Sequence, residues 1–271
     1  MKISVIINYY NAEIFLRQAI SSVLNQTFRN FELILYDNFS TDGSNLIVQS
    51  FNDNRIKYFR SNKHITLSRA RKFSLNKCEN EWVAFLDSDD YWEKEKLSIQ
   101  ISKIGSCSNI GLIYTDYFIE EKSKIKEPLI SSEETNFEKL LYKNPIVFSS
   151  VLFSKSAILN NGGFDPLLKY AEDYDLLLKI AQKKKLFFIN QKLTYYRIHC
   201  GNFSRKYELR AFAEERYILE KYRNYKNFKL VEKYFNKKLK IFFFKLFVKF
   251  FMQMQFRKMY LLLKKRLILK S

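Results

Sequence analysis

The first 120 residues alternate between short apolar runs and segments whose apolar positions recur with a helical period. The apolar runs, which predict strands, are Ile3–Ile7, Phe31–Tyr36, Ile56–Phe59, Trp82–Leu86 and Gly111–Phe118. The helical patterns between them are Ala12–Leu24, Gly43–Phe51, Ser68–Lys77 and Lys94–Lys103. Strands joined by helices of this length need right-handed crossovers, so the pattern predicts an α/β fold with a mostly parallel sheet and helices on both faces.

Acidic residues follow two of the predicted strands. They lie in YDNFS (Tyr36–Ser40) and in LDSDD (Leu86–Asp90). Because ligands of such sheets bind at the carboxyl ends of strands, we expect both segments to line one crevice. If the alternation of the strand continues, Asp87 and Asp89 point to the same side while Ser88 points away.

Two neighbouring carboxylates repel each other, so a fold that places them together must offset this repulsion. At about 5 Å and an effective dielectric near 20 they repel by roughly 3 kcal/mol, and a divalent cation would remove that cost. Oxygen ligands favour Mg²⁺ or Mn²⁺ over zinc, and Mg²⁺ also prefers phosphate oxygens, so the crevice is predicted to bind a phosphate-bearing ligand. The alternative is that Asp89 or Asp90 simply caps the helix predicted at Lys94–Lys103.

A third acidic cluster opens a predicted amphipathic helix in the second half of the chain. In AEDYDLLLKI, Glu172, Asp173 and Asp175 precede or flank the apolar positions. Acids at a helix N-terminus are also ordinary complements of the helix dipole, so spacing alone does not make them catalytic. Just before them, Gly162 and Gly163 in NNGGFD predict a turn.

The net charge of +19 is concentrated at the C-terminal end. From residue 221 onward there are 16 Lys and Arg against one Glu, whereas the preceding residues hold 31 basic and 27 acidic ones. A nucleic-acid-binding protein would be expected to carry its basic residues on the body of the fold, so this distribution argues against that function.

The basic C-terminal segment is also rich in aromatic residues and predicted to be helical. Polar residues from Lys238 to Lys264 recur at spacings of seven or four, and the other faces carry Phe242, Phe243, Phe244, Leu246, Phe247, Phe250, Phe251 and Met252. No uncharged run reaches the ~20 residues that span a bilayer. The composition favours a helix lying on an anionic membrane. A buried helical subdomain and a dimer interface are the alternatives.

The N-terminus has an apolar run too short for a signal peptide, and the three cysteines are widely spaced without a C-x-x-C pair. We therefore expect a cytoplasmic protein, peripheral at the inner face of the cell membrane. A disulfide framework or a zinc site is not indicated.

Residues 1–205 resemble the family-2 inverting glycosyltransferases, which have the Rossmann-like GT-A fold. The resemblance rests on four segments in order: SVIINYYNAEIFLRQAISSVLNQTFRNFELILYDNFSTDGS, LSRARKFSLNKCENEWVAFLDSDDYW, NGGFDPLLKYAEDYDLLLKIA and YYRIHCGNFS. It implies a nucleotide-sugar half at 1–120, an acceptor half at 121–205 and, outside the resemblance, a helical extension at 206–271.

The resemblance also implies which residues bind the donor. Those expected at the nucleotide sugar are Asn8, Tyr10, Asp37, Asn38, Arg71, Asp87, Ser88, Asp89 and His199. Asp87 and Asp89 match the D-x-D motif, with Asp87, Asp89 and His199 as the expected ligands of Mn²⁺ or Mg²⁺. Asn38 departs from the Asp that uridine-binding members commonly have, and an amide offers a base different hydrogen-bonding groups. Arg71 as an exposed helix residue and His199 as a structural residue are the alternatives.

In the acceptor half, the resemblance implies that Asp173 is the general base, with Glu172 as its competitor, and that Gly162 and Gly163 lie beside donor sugar and acceptor. A carboxylate is suited to this role because it can take the proton of an acceptor hydroxyl as that oxygen attacks the anomeric carbon. The resemblance implies inverting transfer from a nucleotide sugar, with UDP as the expected nucleotide, to a surface glycan such as lipooligosaccharide, capsule or O-antigen. A glycoside hydrolase with paired carboxylates would need no D-x-D metal site.

Overall fold

The computed structural model describes residues 1–106, 108–128, 132–202 and 206–268; of residue 249 and residues 252–268 it describes the backbone alone. Contacts divide the chain into two compact units, Met1–Ile218 and Leu219–Ser271. Met252, which is predicted on an apolar face of the basic C-terminal segment, is not among the residues whose side chains are described.

Nine strands of the described residues form one sheet in the order β3-β2-β1-β4-β8-β6-β9-β5, with β7 paired to β6. The strands are β1 (Ile3–Tyr9), β2 (Phe31–Asp37), β3 (Ile56–Arg60), β4 (Trp82–Phe85), β5 (Tyr91–Trp92), β6 (Ile110–Glu121), β7 (Lys124–Lys126), β8 (Leu152–Ser154) and β9 (Lys185–Ile198). Strands β1 to β4 are mutually parallel, as predicted. Beyond β4 the sheet is mixed, because β8 runs antiparallel to both β4 and β6.

The helices of the first unit flank this sheet. They are α1 (Leu16–Leu24), α2 (Ser44–Gln49), α3 (Leu67–Leu75), α4 (Lys96–Ile101), α5 (Phe137–Tyr142), α6 (Lys155–Leu159) and α7 (Glu172–Ala181), and α8 (Glu208–Glu220) begins there. A short 3-10 helix covers Phe148–Ser150. The fully buried strand β2 shows that helices cover both faces, which confirms the predicted α/β class.

Helix α1 begins four residues later than predicted. Asn11 adopts a left-handed backbone conformation with φ 48°, and residues 11 to 13 turn away from a helical path. Their backbone N–H groups donate instead to side chains of the 40–44 loop: Asn11 to Ser40 Oγ, Ala12 to Ser44 Oγ and Glu13 to Asp42 Oδ2. The loops after β1 and β2 are therefore bound to each other at the carboxyl edge of the sheet.

The last helix, α9 (Phe228–Ile268), lies in the second unit. Five of its phenylalanines expose between 50% and 67% of their surface: Phe243, Phe244, Phe247, Phe250 and Phe251. No helix within the described ranges contains an apolar stretch long enough to cross a bilayer.

Candidate active site

The acidic segment after β4 is a turn. Strand β4 ends at Phe85, and the backbone N–H of Asp90 donates to the carbonyl of Asp87 at 3.0 Å. The prediction that Asp87 and Asp89 share one side through strand alternation is therefore wrong, since the chain has already left the sheet. The turn directs Asp87, Asp89 and Asp90 to three different sets of partners.

Asp89 lies against the end of β9. Its Oδ2 is 2.9 Å from His199 Nε2 and accepts a hydrogen bond from Asn202 Nδ2 at 3.2 Å. The His199 ring also packs against Phe15 with ring centroids 4.9 Å apart. Asp89 and His199, which were both expected at the diphosphate, are therefore neighbours. Ser88, at the tip of the turn, is half-exposed.

Asp90 is buried and structural. Its two carboxylate oxygens accept from Ser149 Oγ at 2.6 Å and from the backbone N–H of Arg197 at 2.9 Å. Burial, and then the charges of Asp89 and Asp87, raise the pKa of Asp90 well above its usual value. The alternative that Asp90 caps the following helix is wrong, because α4 begins at Lys96 and neither Asp89 nor Asp90 caps it.

Arg71 connects the two halves of the site. It comes from α3, exposes only 4% of its surface, and donates to Asp87 Oδ1 at 2.7 Å and to Glu172 Oε1 at 2.9 Å. Its guanidinium carbon lies 4.0 Å from the centroid of the Phe148 ring. The alternative of an exposed helix arginine is wrong: one planar cation bridges a carboxylate that follows β4 and a carboxylate of α7.

Glu172 and Asp173 open α7 in different environments. Glu172 is buried and bonded to Arg71. Burial raises the pKa of Glu172 to about 8; the positive charge of Arg71 opposes this rise and the negative charge of Asp173 adds to it. Asp173 is half-exposed, and its Oδ1 accepts the backbone N–H of Tyr174 at 2.7 Å. Of the two carboxylates, Asp173 is the one that solvent or a substrate can approach.

Asp37, the last residue of β2, and Asn38, which follows it, form hydrogen bonds that hold Ser40 and Ile65 in place. Asp37 accepts the backbone N–H of Ser40 at 2.7 Å and lies 3.3 Å from Arg60 Nε. Asn38 forms a two-bond pair with the backbone of Ile65: its Nδ2 donates to the carbonyl at 2.8 Å and its Oδ1 accepts the N–H at 3.1 Å. An aspartate could not make both bonds, so the amide at position 38 has a structural reason.

An aromatic pair lies at the same edge of the sheet. The exposed ring of Tyr10 packs on His64 with centroids 4.1 Å apart, and His64 Nδ1 is 3.2 Å from the carbonyl of Asn38. Asn8 is bound further inward, to Ser74 Oγ of α3 at 3.1 Å. Sequence reasoning assigned no role to His64, because a lone histidine in a loop carries no pattern.

Gly162 and Gly163 lie in the turn that follows helix α6. Both have left-handed backbone angles, φ 86° and 63°, and Gly163 N–H donates to the carbonyl of Ile158 at 2.9 Å. The conformation requires glycine on backbone grounds alone, in agreement with the predicted turn. Lys179 of α7 donates to the Gly163 carbonyl at 3.3 Å, which connects this turn to the helix of Glu172 and Asp173.

Sequence reasoning missed Arg197, although it lies within the segment YYRIHCGNFS. The buried guanidinium donates to the backbone carbonyl of Asp89 at 2.6 Å and to Gln18 at 2.7 Å, and it stacks on Phe15 at 4.4 Å. It therefore fixes the acidic turn against β9. The missed signal was an arginine near the end of a strand, two positions before a candidate ligand.

The donor atoms that meet at Asp89 and His199 suit a cation. Five carboxylates, Asp87, Asp89, Asp90, Glu172 and Asp173, lie around two buried arginines. Asp89 and His199 bring two donor atoms together, while Asp87 is bound by Arg71. Within the described ranges no three His, Cys, Asp or Glu residues form a complete metal-binding group. The residues fit a cation that takes its remaining ligands from phosphate oxygens and water.

Three comparisons with known proteins identify the family. The profile of "Glycosyl transferase family 2" matches residues 4–159. UDP-Glc:α-D-GlcNAc-diphosphoundecaprenol β-1,3-glucosyltransferase WfaP of Escherichia coli is 34% identical over 203 residues, which cover 74% of this chain and 79% of that protein.

Solved structures show the same fold. Residues 1–349 of S. aureus TarS, in complex with UDP-GlcNAc, are similar with a TM-score of 0.70 at 22% identity, covering 83% of this chain and 67% of that one. The mannosyltransferase PcManGT from Pyrobaculum calidifontis, in complex with GDP-Man and Mn²⁺, has a TM-score of 0.61 at 16% identity, covering 78% and 63%. The chain therefore belongs to glycosyl transferase family 2, is a glycosyltransferase and has the GT-A fold.

Proposed function

We propose that the protein transfers a sugar from a UDP-sugar to a hydroxyl of a glycan carried on a polyprenyl diphosphate, with inversion at the anomeric carbon. One observation carries the proposal: Arg71 joins Asp87 of the acidic turn to Glu172, so that the expected diphosphate site and the expected base are neighbours. The E. coli relative supports the substrate classes, because its name specifies UDP-glucose and a diphosphoundecaprenol-linked GlcNAc.

The nucleotide half, residues 1–120, is proposed to bind UDP at the carboxyl ends of β1, β2 and β4. Tyr10 and His64 offer an aromatic surface to the base, and Asp37 and Asn38 order the loops around it. Both the oxygen and the nitrogen of the Asn38 amide are bonded to the backbone of Ile65. We therefore infer that Asn38 orders the loop around the base and that other groups form the hydrogen bonds to the edge of the base.

A divalent cation is proposed at Asp89 and His199, with Asp87 at its border. When bound, such a cation neutralises charge that develops on the leaving nucleoside diphosphate. Mg²⁺ is bound mainly through oxygen, so the imidazole in the donor set favours Mn²⁺. Asn202, which donates to Asp89 Oδ2, and Arg197, which holds the turn, would orient the carboxylate toward the cation.

Asp173 is proposed as the general base. It accepts the proton of the acceptor hydroxyl while that oxygen bonds to the anomeric carbon and the bond to the UDP oxygen breaks, so a single displacement inverts the configuration. Glu172 is a weaker candidate, because its carboxylate is bound to Arg71 and buried. Gly162 and Gly163 would border the acceptor in the half formed by residues 121–205.

Residues 206–271 are proposed to hold this cytoplasmic enzyme at the inner face of the membrane. The exposed phenylalanines of α9 alternate with lysines such as Lys240 and Lys245, which suits the headgroup region of anionic lipids. A lipid-linked acceptor lies in the same plane, so binding there would raise its local concentration.

The proposal is tested with a panel of UDP- and GDP-sugars, Mn²⁺, and a short-chain GlcNAc-diphospholipid as acceptor. We expect a UDP-sugar to give a product one hexose or N-acetylhexosamine heavier, with inverted configuration by NMR, and we expect EDTA to abolish turnover and weaken UDP binding in calorimetry. Retained configuration, or equal turnover and UDP affinity in EDTA, would refute the mechanism.

A further inference from the structure

Helix α8 reaches the segment that leads into α7 through one carboxylate. Glu214 accepts three consecutive backbone N–H groups: Lys169 at 2.9 Å, Tyr170 at 2.8 Å and Ala171 at 3.0 Å. The Lys169 N–H is shared between both oxygens of the carboxylate, with the second at 3.0 Å. Glu214 lies 43 to 45 residues from these partners and beyond the region that the family profile matches.

A second contact joins the same two elements. Arg210, one helical turn before Glu214, donates to the hydroxyl of Tyr170 at 2.8 Å, and the Tyr170 ring packs on Tyr207 with centroids 5.1 Å apart. Side chains of α8 therefore hold both the backbone and the side chain of Tyr170. The segment Lys169–Ala171 is fixed by contacts from outside its own helix.

Helix α7 lacks a side-chain cap from its own N-cap residue. Its N-cap residue is Ala171, which has no side-chain oxygen to accept a backbone N–H. The next two residues are Glu172 and Asp173. Because they directly follow Ala171, a shift of the Lys169–Ala171 backbone would also shift the carboxylates of Glu172 and Asp173.

We propose that Glu214 is a positioning residue for Asp173: its carboxylate fixes the backbone before α7 and thereby aims the base at the acceptor hydroxyl. The inference rests on the proposed function, since it assigns a geometry to the base named there. A displacement of about 1 Å in an active site can cost on the order of 10²-fold in rate, so a contact that touches no substrate can still control turnover.

The test compares Glu214→Gln with Glu208→Gln, which makes the same chemical change at an exposed position of the same helix. Glutamine lacks the negative charge, and if its one oxygen takes the place of Oε2, its NH2 group faces the Lys169 N–H as a second donor, so it binds the three N–H groups less well. For Glu214→Gln we expect the Lys169–Ala171 amides to exchange with deuterium at least about tenfold faster. With UDP-glucose and a GlcNAc-diphospholipid, we expect kcat to fall about 10- to 100-fold while UDP affinity stays within about twofold.

Each outcome is decisive. Faster exchange with unchanged kcat would overturn the positioning role. Unchanged exchange would show that the Glu214 carboxylate does not protect these amides, and would overturn the inference as well. An equal loss of UDP affinity would indicate general unfolding of the site and also overturn the inference. Asp173→Asn, assayed beside these variants, separates the two proposals: if its turnover is normal, the base assignment fails whatever Glu214→Gln does, whereas the exchange data still report on the contact.

Discussion

Arg71 carries one charge between two carboxylates that come from opposite halves of the site. Its planar guanidinium can donate to Asp87 and Glu172 at once because its N–H groups form a rigid fork, which an ammonium group does not provide. The stacking on Phe148 adds a contact that depends on the same planar shape. The position therefore requires arginine and not only a positive charge.

Arg71→Lys is expected to lower kcat by roughly 10²-fold, because a point charge cannot hold both carboxylates in place. Steady-state kinetics and UDP calorimetry measure the effect. Arg69→Lys is the matched control, since Arg69 is an exposed residue of the same helix and should change neither quantity. Wild-type kinetics in Arg71→Lys would show that charge alone suffices.

Asp173 and Glu172 can be separated by neutral substitutions of equal size. Asp173→Asn keeps the shape but cannot accept the acceptor's proton, so turnover should fall roughly 10²- to 10⁴-fold with UDP binding nearly unchanged. Glu172→Gln should instead weaken the bridge to Arg71 and affect both UDP affinity and turnover. A near-normal turnover number for Asp173→Asn would transfer the base role to another group.

Single residues were only partly predictable from sequence. The carboxylates of the acidic turn were recognised by type and spacing, and those of α7 through the family resemblance. Their partners were not predicted, because Arg71 meets Glu172 across 101 positions. The partners of Asn38 and His64 could not be predicted for the same reason. An amide that pairs with a distant backbone, or an imidazole that packs on Tyr10, has no signature within its own segment.

At the scale of elements, the acidic turn after β4 is fastened to β9 and to the 3-10 helix by one buried carboxylate. Asp90 binds the backbone of Arg197 and the hydroxyl of Ser149, and the indole of Trp92 donates to the Ser149 carbonyl at 2.7 Å. These bonds fix the turn that presents Asp87 and Asp89. The third acid of the segment is a structural residue of the site.

Asp90→Asn is expected to lower the free energy of unfolding by about 1–3 kcal/mol, because an amide offers a donor where both partners also donate. Urea denaturation measures the change. Glu95→Gln is the control: Glu95 precedes α4, makes no side-chain capping bond, and should shift stability by less than about 0.5 kcal/mol. Equal stabilities for the two variants would contradict the structural role of Asp90.

Strands β1, β2, β3, β4 and β6 were predictable because each is a clear apolar run, and each has a parallel neighbour in the sheet. Strands β5, β7, β8 and β9 were not predicted. The two-residue strand β5 is too short to show a period, and β9 mixes buried and exposed positions irregularly along its 14 residues. Its pairing with both β6 and β5 comes from the tertiary fold and not from local alternation.

At the scale of the whole molecule, the exposed aromatic residues of α9 are expected to bind a lipid surface. Truncation after Tyr225 is expected to release the protein from anionic liposomes, and raised salt should weaken binding of the full chain because the lysine contribution is screened. Flotation at two salt concentrations measures both. Donor hydrolysis should persist in the truncated protein.

A full-length variant provides the control for that truncation. Phe243→Ser combined with Phe247→Ser keeps every charge and removes two exposed rings, so liposome binding should fall without loss of folding. If the truncated protein unfolds, the helix is part of a buried subdomain. If the variant loses a dimer seen by light scattering, the rings form an interface between two copies.

The bridge between Arg71 and Glu172 also constrains biosynthesis. A ribosome adding about 5–20 residues per second needs roughly 5–20 seconds to cover the 101 positions between them. During that interval the nascent donor half holds an arginine whose second carboxylate partner does not yet exist. The bridge can therefore form only after Glu172 has been synthesised, and a ribosome that stalls between the two codons would leave Arg71 without this partner.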